Sequence, residues 1–324
     1  MAYRELLNRS IVADLIKFEP TEHPRWRNED TASTSRMIKE IIQNQTRWFN
    51  EFELRLDDPK KRKIKERLMR RYYKINTDPL KDDSTEEITR KQQEMQNFED
   101  AIWLLGRTEL DEENESEKSM LDCQESCSGL LEESLLREAN KILMKGVTKP
   151  NRTKPGQYSD KMKVMTYNGK AYQYQNPENM ENAVLVFVDR YNSLITASLA
   201  ESDVGDKFKS VFNTAAWLVV EFLHLHPFSD GNGRLCRILC NYVVSTLQIP
   251  FPTPIYHIYE NNADQNDENT PKNLPCRDDY LRAFVTSRME FEPTHPRDMA
   301  AMIIESNWRS WEELMNEVRN ELAR

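Results

Sequence analysis

The run His226-Pro227-Phe228-Ser229-Asp230-Gly231-Asn232-Gly233-Arg234-Leu235-Cys236-Arg237 decides how the rest of the chain reads. It holds an imidazole, a carboxylate, an amide between two glycines, and two guanidiniums. Upstream, Val211–Leu225 carries Phe212, Trp217, Leu218, Val219, Val220, Phe222 and Leu223. That segment is too apolar for a surface stripe and is expected to be a helix buried on most faces. Downstream, Leu235, Ile238, Leu239, Tyr242, Val243 and Leu247 recur at helical spacing and predict a second core helix starting near Arg234. The polar cluster falls on a short loop between two core helices, an arrangement by which a rigid scaffold holds a site.

The residue types suggest a chemistry. Gly231 and Gly233 permit positive φ, so consecutive N–H groups can form an anion-binding nest. The N-terminus of the downstream helix adds partial positive charge. Arg234 and Arg237, three apart, share a helical face and can grip phosphate oxygens as forks. Asp230 is a hard oxygen ligand suited to Mg²⁺ bridging two phosphates. His226 can take a proton from a hydroxyl near neutral pH. Singly, each has a plain reading: a turn for Gly-Asn-Gly, a core histidine for His226. Together they describe attack of a protein hydroxyl on a nucleotide phosphate.

The twelve residues resemble the Fic-domain signature His-Pro-Phe-x-Asp/Glu-Gly-Asn-Gly-Arg-x-x-Arg, with every fixed position filled. The resemblance implies a mainly helical, all-α bundle with a small β-hairpin flap. It also implies transfer of AMP from ATP to a Ser, Thr or Tyr hydroxyl of a target protein, and of the chain itself, releasing pyrophosphate. By position, His226 is implied as general base and Asp230 as Mg²⁺ ligand. Gly231, Asn232 and Gly233 would line the phosphate nest, with Arg234 and Arg237 neutralising the phosphates; Asn232 and both arginines join the catalytic set. Relatives that transfer phosphate instead depart at the positions of Gly233 and Arg234. This chain keeps both, which favours nucleotidyl transfer.

Other stretches carry the resemblance further. Leu135 to Gly146 is similar to the family's first core helix, and Pro155-Gly156-Gln157-Tyr158 to the segment after it, with Ser159 where Arg is usual. Lys163 to Tyr174 alternates as a hairpin turning at Asn168-Gly169. It stands in the place of the family's flap, along which a protein substrate would pair. Asp279-Tyr280-Leu281-Arg282-Ala283-Phe284 resembles a segment whose tyrosine lies by the adenine, making Tyr280 an adenine contact, with a core tyrosine as the alternative.

Bulk properties set limits. The 324 residues carry a formal charge of −9, which argues against a nucleic-acid-wrapping protein. None of the eight glycines precedes Gly106, so the N-terminal third is expected to be nearly all helix. No long apolar run predicts a membrane span, and Met1 to Asp14 lacks a signal-peptide core. Five cysteines, an odd number, suggest reduced thiols in the cytoplasm, with the nucleus as alternative. Cys236 and Cys240 read as core packing, and Cys123 and Cys127 lack partners for a zinc site.

We divide the chain into an N-terminal helical extension (1–105), an acidic connector (106–133), a catalytic core (134–290) and a C-terminal helix (291–324). The extension should hold a helix over Ala2–Lys17, one capped by Thr34 or Ser35, and one opened by Asp58-Pro59. This last carries nine Lys or Arg between Lys60 and Lys74. It reads as a nucleic-acid patch or as a solvated face behind the seam Ile64, Leu68, Tyr72; we favour the face. After a polar linker over Asn76–Arg90, a helix over Thr89–Leu105 should turn Met95, Phe98, Ile102 and Trp103 inward. The acidic stretch Glu109–Glu117 and the polar stretch Asn261–Leu274 read as loops, Asn179–Leu199 as a core helix and Pro296–Leu322 as the last one. Phe18-Glu19-Pro20-Thr21 recurs as Phe291-Glu292-Pro293-Thr294, without a wider repeat.

Many Fic proteins carry an inhibitory Ser/Thr-x-x-x-Glu-Gly/Asn helix whose Glu meets the motif's second arginine. The nearest segments here, Thr108 with Glu113-Asn114 and Ser134 with Glu138, do not fit. Arg237 would then be free, or restrained by another chain through a homo-oligomer or a trans-acting inhibitor. Two alternatives to AMP transfer stay open. One is the same scaffold using UMP or removing AMP; the other is a non-catalytic interaction module.

Overall fold

The computed structural model describes residues 9–28, 30–52, 55–77, 85–106, 129–147, 153–256, 275–289 and 295–323. Ten helices run in the order α1 (Arg9–Ile16), α2 (Thr34–Arg47), α3 (Asp58–Thr77), α4 (Thr85–Gly106), α5 (Glu133–Leu143), α6 (Met180–Leu199), α7 (Val204–Leu225), α8 (Asn232–Ser245), α9 (Arg277–Met289) and α10 (Arg297–Leu322) among these residues. Between α5 and α6 stand two antiparallel strands, β1 (Val164–Tyr167) and β2 (Lys170–Gln173). The protein is mostly helical with one small hairpin, as the sequence suggests.

α7 is the central helix. Every residue from Ser210 to Val220 is buried, and the helix packs against α6, α8, α10, α1, α2 and α9. Within it, Asn213 Nδ2 donates to Ile16 O and Phe18 O at 2.8 Å each, tying the N-terminal segment to the core. One apolar cluster runs from Val12 to Val318 through both the extension and the last helix. A second tie is buried. Arg27 Nε donates to Glu305 Oε2 of α10 at 2.7 Å, and Trp26 Nε1 donates to the same oxygen at 2.9 Å.

Local details correct several expectations. Ser33, not Thr34 or Ser35, caps α2 by accepting from Arg36 N at 3.3 Å. The Thr34 hydroxyl is instead spent on Thr21 O at 2.7 Å. Asp57 rather than Asp58 caps α3, accepting from Lys60 N at 2.9 Å. Within the expected 76–90 linker, Thr85 to Arg90 is already helix. Met95 is 39% exposed, whereas Asn97 is fully buried. The inward face of α4 passes through Glu94, Asn97, Phe98, Ala101 and Leu105, and Asn97 Nδ2 donates to Leu143 O and Lys145 O at 3.1 and 2.7 Å. A stripe at i, i+3, i+4, i+7 leaves Met95 off the face; the orphan carbonyls of α5 chose an amide for it.

The seam Ile64, Leu68, Tyr72 of α3 is buried, while Arg67 and Lys63 meet Glu317 and Glu321 of α10. Phe18 stacks on His295 at 5.0 Å, and Thr21 N donates to Arg297 O at 3.3 Å, so the first tetrapeptide neighbours the residues that follow the second. Residues 1–8, 107–128, 257–274 and 290–294 lie outside the described residues, and with them the start of the first helix, the acidic stretch, Glu113, Cys123, Cys127 and Asn261–Leu274. The side chain of Trp103 is likewise outside them. No helix among the described residues is long and apolar enough to cross a membrane.

Candidate active site

The loop between α7 and α8 is closed by its own residues. α7 stops at Leu225, and His226 takes the left-handed conformation, φ 46°, with its N–H on Phe222 O at 2.9 Å. Pro227 follows and cannot continue a helix. A left-handed non-glycine residue costs about 1–2 kcal/mol, strain of a kind concentrated at functional sites. Asn232 then closes the loop: Phe228 N donates to its Oδ1 at 3.0 Å, and its Nδ2 donates to Phe228 O at 2.6 Å. With 2% exposure, its side chain is consumed in this clamp and does not line the nest as the resemblance implies.

Gly231 caps α8 at φ 81°, and no side chain caps the helix. A Cβ there would meet Met144 Sδ at 2.9 Å and Asn140 Nδ2 at 3.0 Å, so both conformation and space demand glycine. Gly233 differs from expectation. It lies inside the first turn of α8 at an ordinary helical φ, because α8 starts at Asn232 rather than near Arg234. The anion cradle is therefore one left-handed glycine followed by the free N–H groups of a helix N-terminus with no acidic side chain in its first turn.

Asp230 Oδ1 accepts from Gly231 N at 2.7 Å, which fixes the carboxylate on the rim of that cradle. Its backbone oxygen accepts from Asn140 Nδ2 at 3.0 Å, while Asn140 Oδ1 takes Gly156 N at 2.9 Å. Asn140 thus fastens the loop to α5 and to the turn after it. Sequence reasoning missed this residue, although an amide on the apolar stripe Leu136, Ala139, Leu143 was a visible signal. Lys163, at the base of β1, donates from Nζ to Phe228 O.

The His226 ring is tethered through Nδ1, 3.3 Å from Leu223 O. A carbonyl only accepts, so Nδ1 carries the proton and Nε2 keeps its lone pair. Burial first, then the nearby Lys163 ammonium, push its pKa down to about 4 against smaller opposing effects of Leu223 O and Asp230. Tyr174 covers the ring, centroids 4.1 Å apart. His224 is also pushed down to about 4, by burial and then by Arg288. Both rings are neutral in the folded chain and would titrate near 6.5 when unfolded. The folded state binds fewer protons, so stability falls as pH drops from about 6.5 toward 4. We expect the thermal midpoint to fall between pH 6.5 and 5 and the His224→Gln/His226→Gln chain to show a shallower slope; equal slopes would contradict the two neutral histidines.

Both arginines point into protein contacts. Arg234 Nη1 lies 3.5 Å from Glu94 Oε2 of α4, and Nη2 lies 3.3 Å from Met144 Sδ. Nη1 is buried and makes no hydrogen bond, leaving donor capacity unspent. Arg237 Nη1 donates to the Tyr256 hydroxyl at 3.4 Å, its guanidinium 5.9 Å from that ring's centroid. Arg237 is therefore not free, and the carboxylate near the motif is Glu94, on Arg234. Glu138 is on α5 and pairs with Lys141. Nothing in the sequence marks Glu94, whose place depends on how α4 packs. Tyr280 is 5% exposed, its ring 4.7 Å from Tyr256. The structure brings it next to the Arg237 contact but covers it with protein, as a core tyrosine.

The hairpin matches its expected register, Val164 opposite Gln173 and Tyr167 opposite Lys170, with Asn168 and Gly169 at φ 49° and 73°. It leans on the loop. Tyr158 forms a β-bridge with Phe228, Ser159 N donates to Pro227 O at 2.8 Å, and Gln175 N donates to His224 O at 3.0 Å.

Comparison with known proteins bears on this arrangement. Residues 130–244 match the model of the Fic/DOC family. A Fido domain-containing protein of Dictyostelium discoideum is 37% identical over 107 residues, 33% of this chain and 63% of that protein. The ribonucleoside-diphosphate reductase small chain of Ostreid herpesvirus 1 is 32% identical over 96 residues, which is 16% of its length. This chain therefore spans less than two thirds of either relative. A Fic domain containing signaling protein of Bacteroides thetaiotaomicron superposes with TM-score 0.57 at 16% identity, covering 87% of this chain and 97% of that one. Fic-1 of C. elegans gives 0.57 at 14% identity, covering 89% and 73%. At these identities the two structures speak for the fold alone. Residues 130–244, which hold α5, the hairpin, α6, α7 and nearly all of α8, are the part of the chain that is similar to the Fic/DOC family.

Proposed function

We propose that the chain is a protein adenylyltransferase: it moves AMP from ATP to a Ser, Thr or Tyr hydroxyl and releases pyrophosphate. The observation that carries this reading is a neutral, Nδ1-tethered His226 on the same short loop as the uncapped N-terminus of α8. A base and an anion cradle on one rigid loop fit hydroxyl attack on a phosphate.

In this reading His226 Nε2 takes the hydroxyl proton as the oxygen bonds to the α-phosphorus. The bond from that phosphorus to the bridging oxygen breaks, and pyrophosphate departs with the negative charge. A base held near 4 is weak, yet it is always unprotonated at neutral pH. The nucleotide's own negative charge raises the pKa of a neighbouring imidazole and so strengthens it when substrate is bound. Arg234 and Arg237 face the departing charge after exchanging Glu94 and Tyr256 for phosphate oxygens.

Among the described residues no group of three or more ligating side chains could cage a metal. Asp230 alone, one oxygen held by Gly231 N, fits the way Mg²⁺ is bound by a single carboxylate together with substrate phosphates. Bound there, Mg²⁺ would neutralise phosphate charge. The protein substrate would lie along the hairpin, residues 163–174.

Two measurements follow. Intact-mass analysis after incubation with ATP and Mg²⁺ should find one added AMP on a hydroxyl side chain; an added phosphate would overturn the reading. Glu94→Gln removes the carboxylate that competes for Arg234, so affinity for Mg²⁺–ATP should rise by roughly three- to tenfold, matching an ion pair worth about 1 kcal/mol. Calorimetric titration of both chains checks this, and unchanged affinity would mean that Arg234 does not meet the nucleotide.

A further inference from the structure

Two residues before the proposed base stands a second imidazole that the phosphate chemistry does not use. His224 lies in the last turn of α7, its Nδ1 2.8 Å from the Tyr172 hydroxyl on β2. Its backbone oxygen accepts from Gln175 N at 3.0 Å. Tyr174 falls between these two attachment points, and its ring covers His226 at 4.1 Å. From the other strand, Lys163 O accepts from Tyr174 N at 3.1 Å. Behind His224, Glu221 forms an ion pair with Arg288 of α9.

Elsewhere the hairpin is held by Lys163 Nζ on Phe228 O and by partly buried Met165, Tyr167 and Tyr174 against the core, none of which is a side-chain hydrogen bond from a strand to α7. A two-stranded ribbon is marginal alone, and Tyr172 is the one buried residue of the two strands. Its ring packs edge-on against Phe284 at 5.0 Å. That contact supplies attachment without direction; a hydrogen bond fixes distance and angle. The carbonyl of His224 could come from any residue type, whereas the ring contact requires a nitrogen at that place.

We propose that His224 is a positioning residue: with Tyr172 it fastens β2 in register so that Tyr174 stays on the face of the His226 ring. The proposal rests on the AMP-transfer reading for its consequence and on geometry alone for its existence, so the two can fail separately.

The test uses the full chain with His224→Phe, Tyr172→Phe, the double variant and His224→Gln. It measures amide exchange over residues 163–175, transfer of label from α-labelled ATP, and the dissociation constant of Mg²⁺–ATP. Each Phe variant should exchange at least tenfold faster in the hairpin and transfer label at least tenfold more slowly, with the dissociation constant within twofold of wild type. The double variant should be no worse than the worse single one, because both act through one bond. An amide can take the same hydroxyl, so His224→Gln should recover most of both losses. Hairpin exchange unchanged in both Phe variants, or losses that multiply in the double variant, would overturn the proposal. If wild type transfers no label, the AMP reading fails while the exchange arm still decides this one.

Discussion

His226→Ala is expected to lower transfer of AMP by on the order of 10²- to 10⁴-fold, the range for losing a general acid–base group, while Mg²⁺–ATP still binds. Nε2 holds the available lone pair because Nδ1 is tied to Leu223 O, and no other described imidazole lies on the loop. Alanine also empties the place under Tyr174 and keeps a left-handed strain at φ 46°. His226→Asn separates these effects, since asparagine tolerates the left-handed region better yet offers no basic nitrogen. Equal losses in both variants would be chemical. Activity above a tenth of wild type in His226→Asn would mean that another group takes the proton.

Asn232→Ala is the second large effect, and it acts on fold and activity together. The change leaves Phe228 N without its partner and takes from Phe228 O one of its two donors, Lys163 Nζ being the other. Orphaning a buried donor costs about 1–3 kcal/mol. A loss of roughly 2 kcal/mol should appear in denaturant unfolding. The loop spaces His226 from the α8 N-terminus, and a shift near 1 Å at such a site costs on the order of 10²-fold in rate. If Asn232 contacted phosphate instead, stability would barely move and nucleotide affinity would fall; that pattern would contradict the clamp.

The fold was legible where periodicity and turn chemistry act locally. The apolar run through Val219 announced a central helix, and Asn168-Gly169 announced the hairpin turn. The motif's place between two core helices followed from its flanks. What escaped depends on tertiary packing. Gly233 looked equivalent to Gly231, but only Gly231 meets Met144 and Asn140, and α8 begins early enough to absorb Gly233. Asn232 looked like a ligand because it stands in a cradle; its side chain turns back to the chain behind it. Glu94 could not be seen at all, since its approach to Arg234 is set by how α4 lies on α5 and α8. Tyr280 was read through a resemblance, and its 5% exposure follows from Tyr256, which nothing nearby in sequence announces.

The most direct measurement incubates the chain with Mg²⁺ and ATP labelled at the α-phosphate, and in parallel at the γ-phosphate, for wild type and His226→Ala. Covalent label is expected from the α-phosphate alone and is lost in the variant. Label from the γ-phosphate, or α-label that survives His226→Ala, would contradict that expectation.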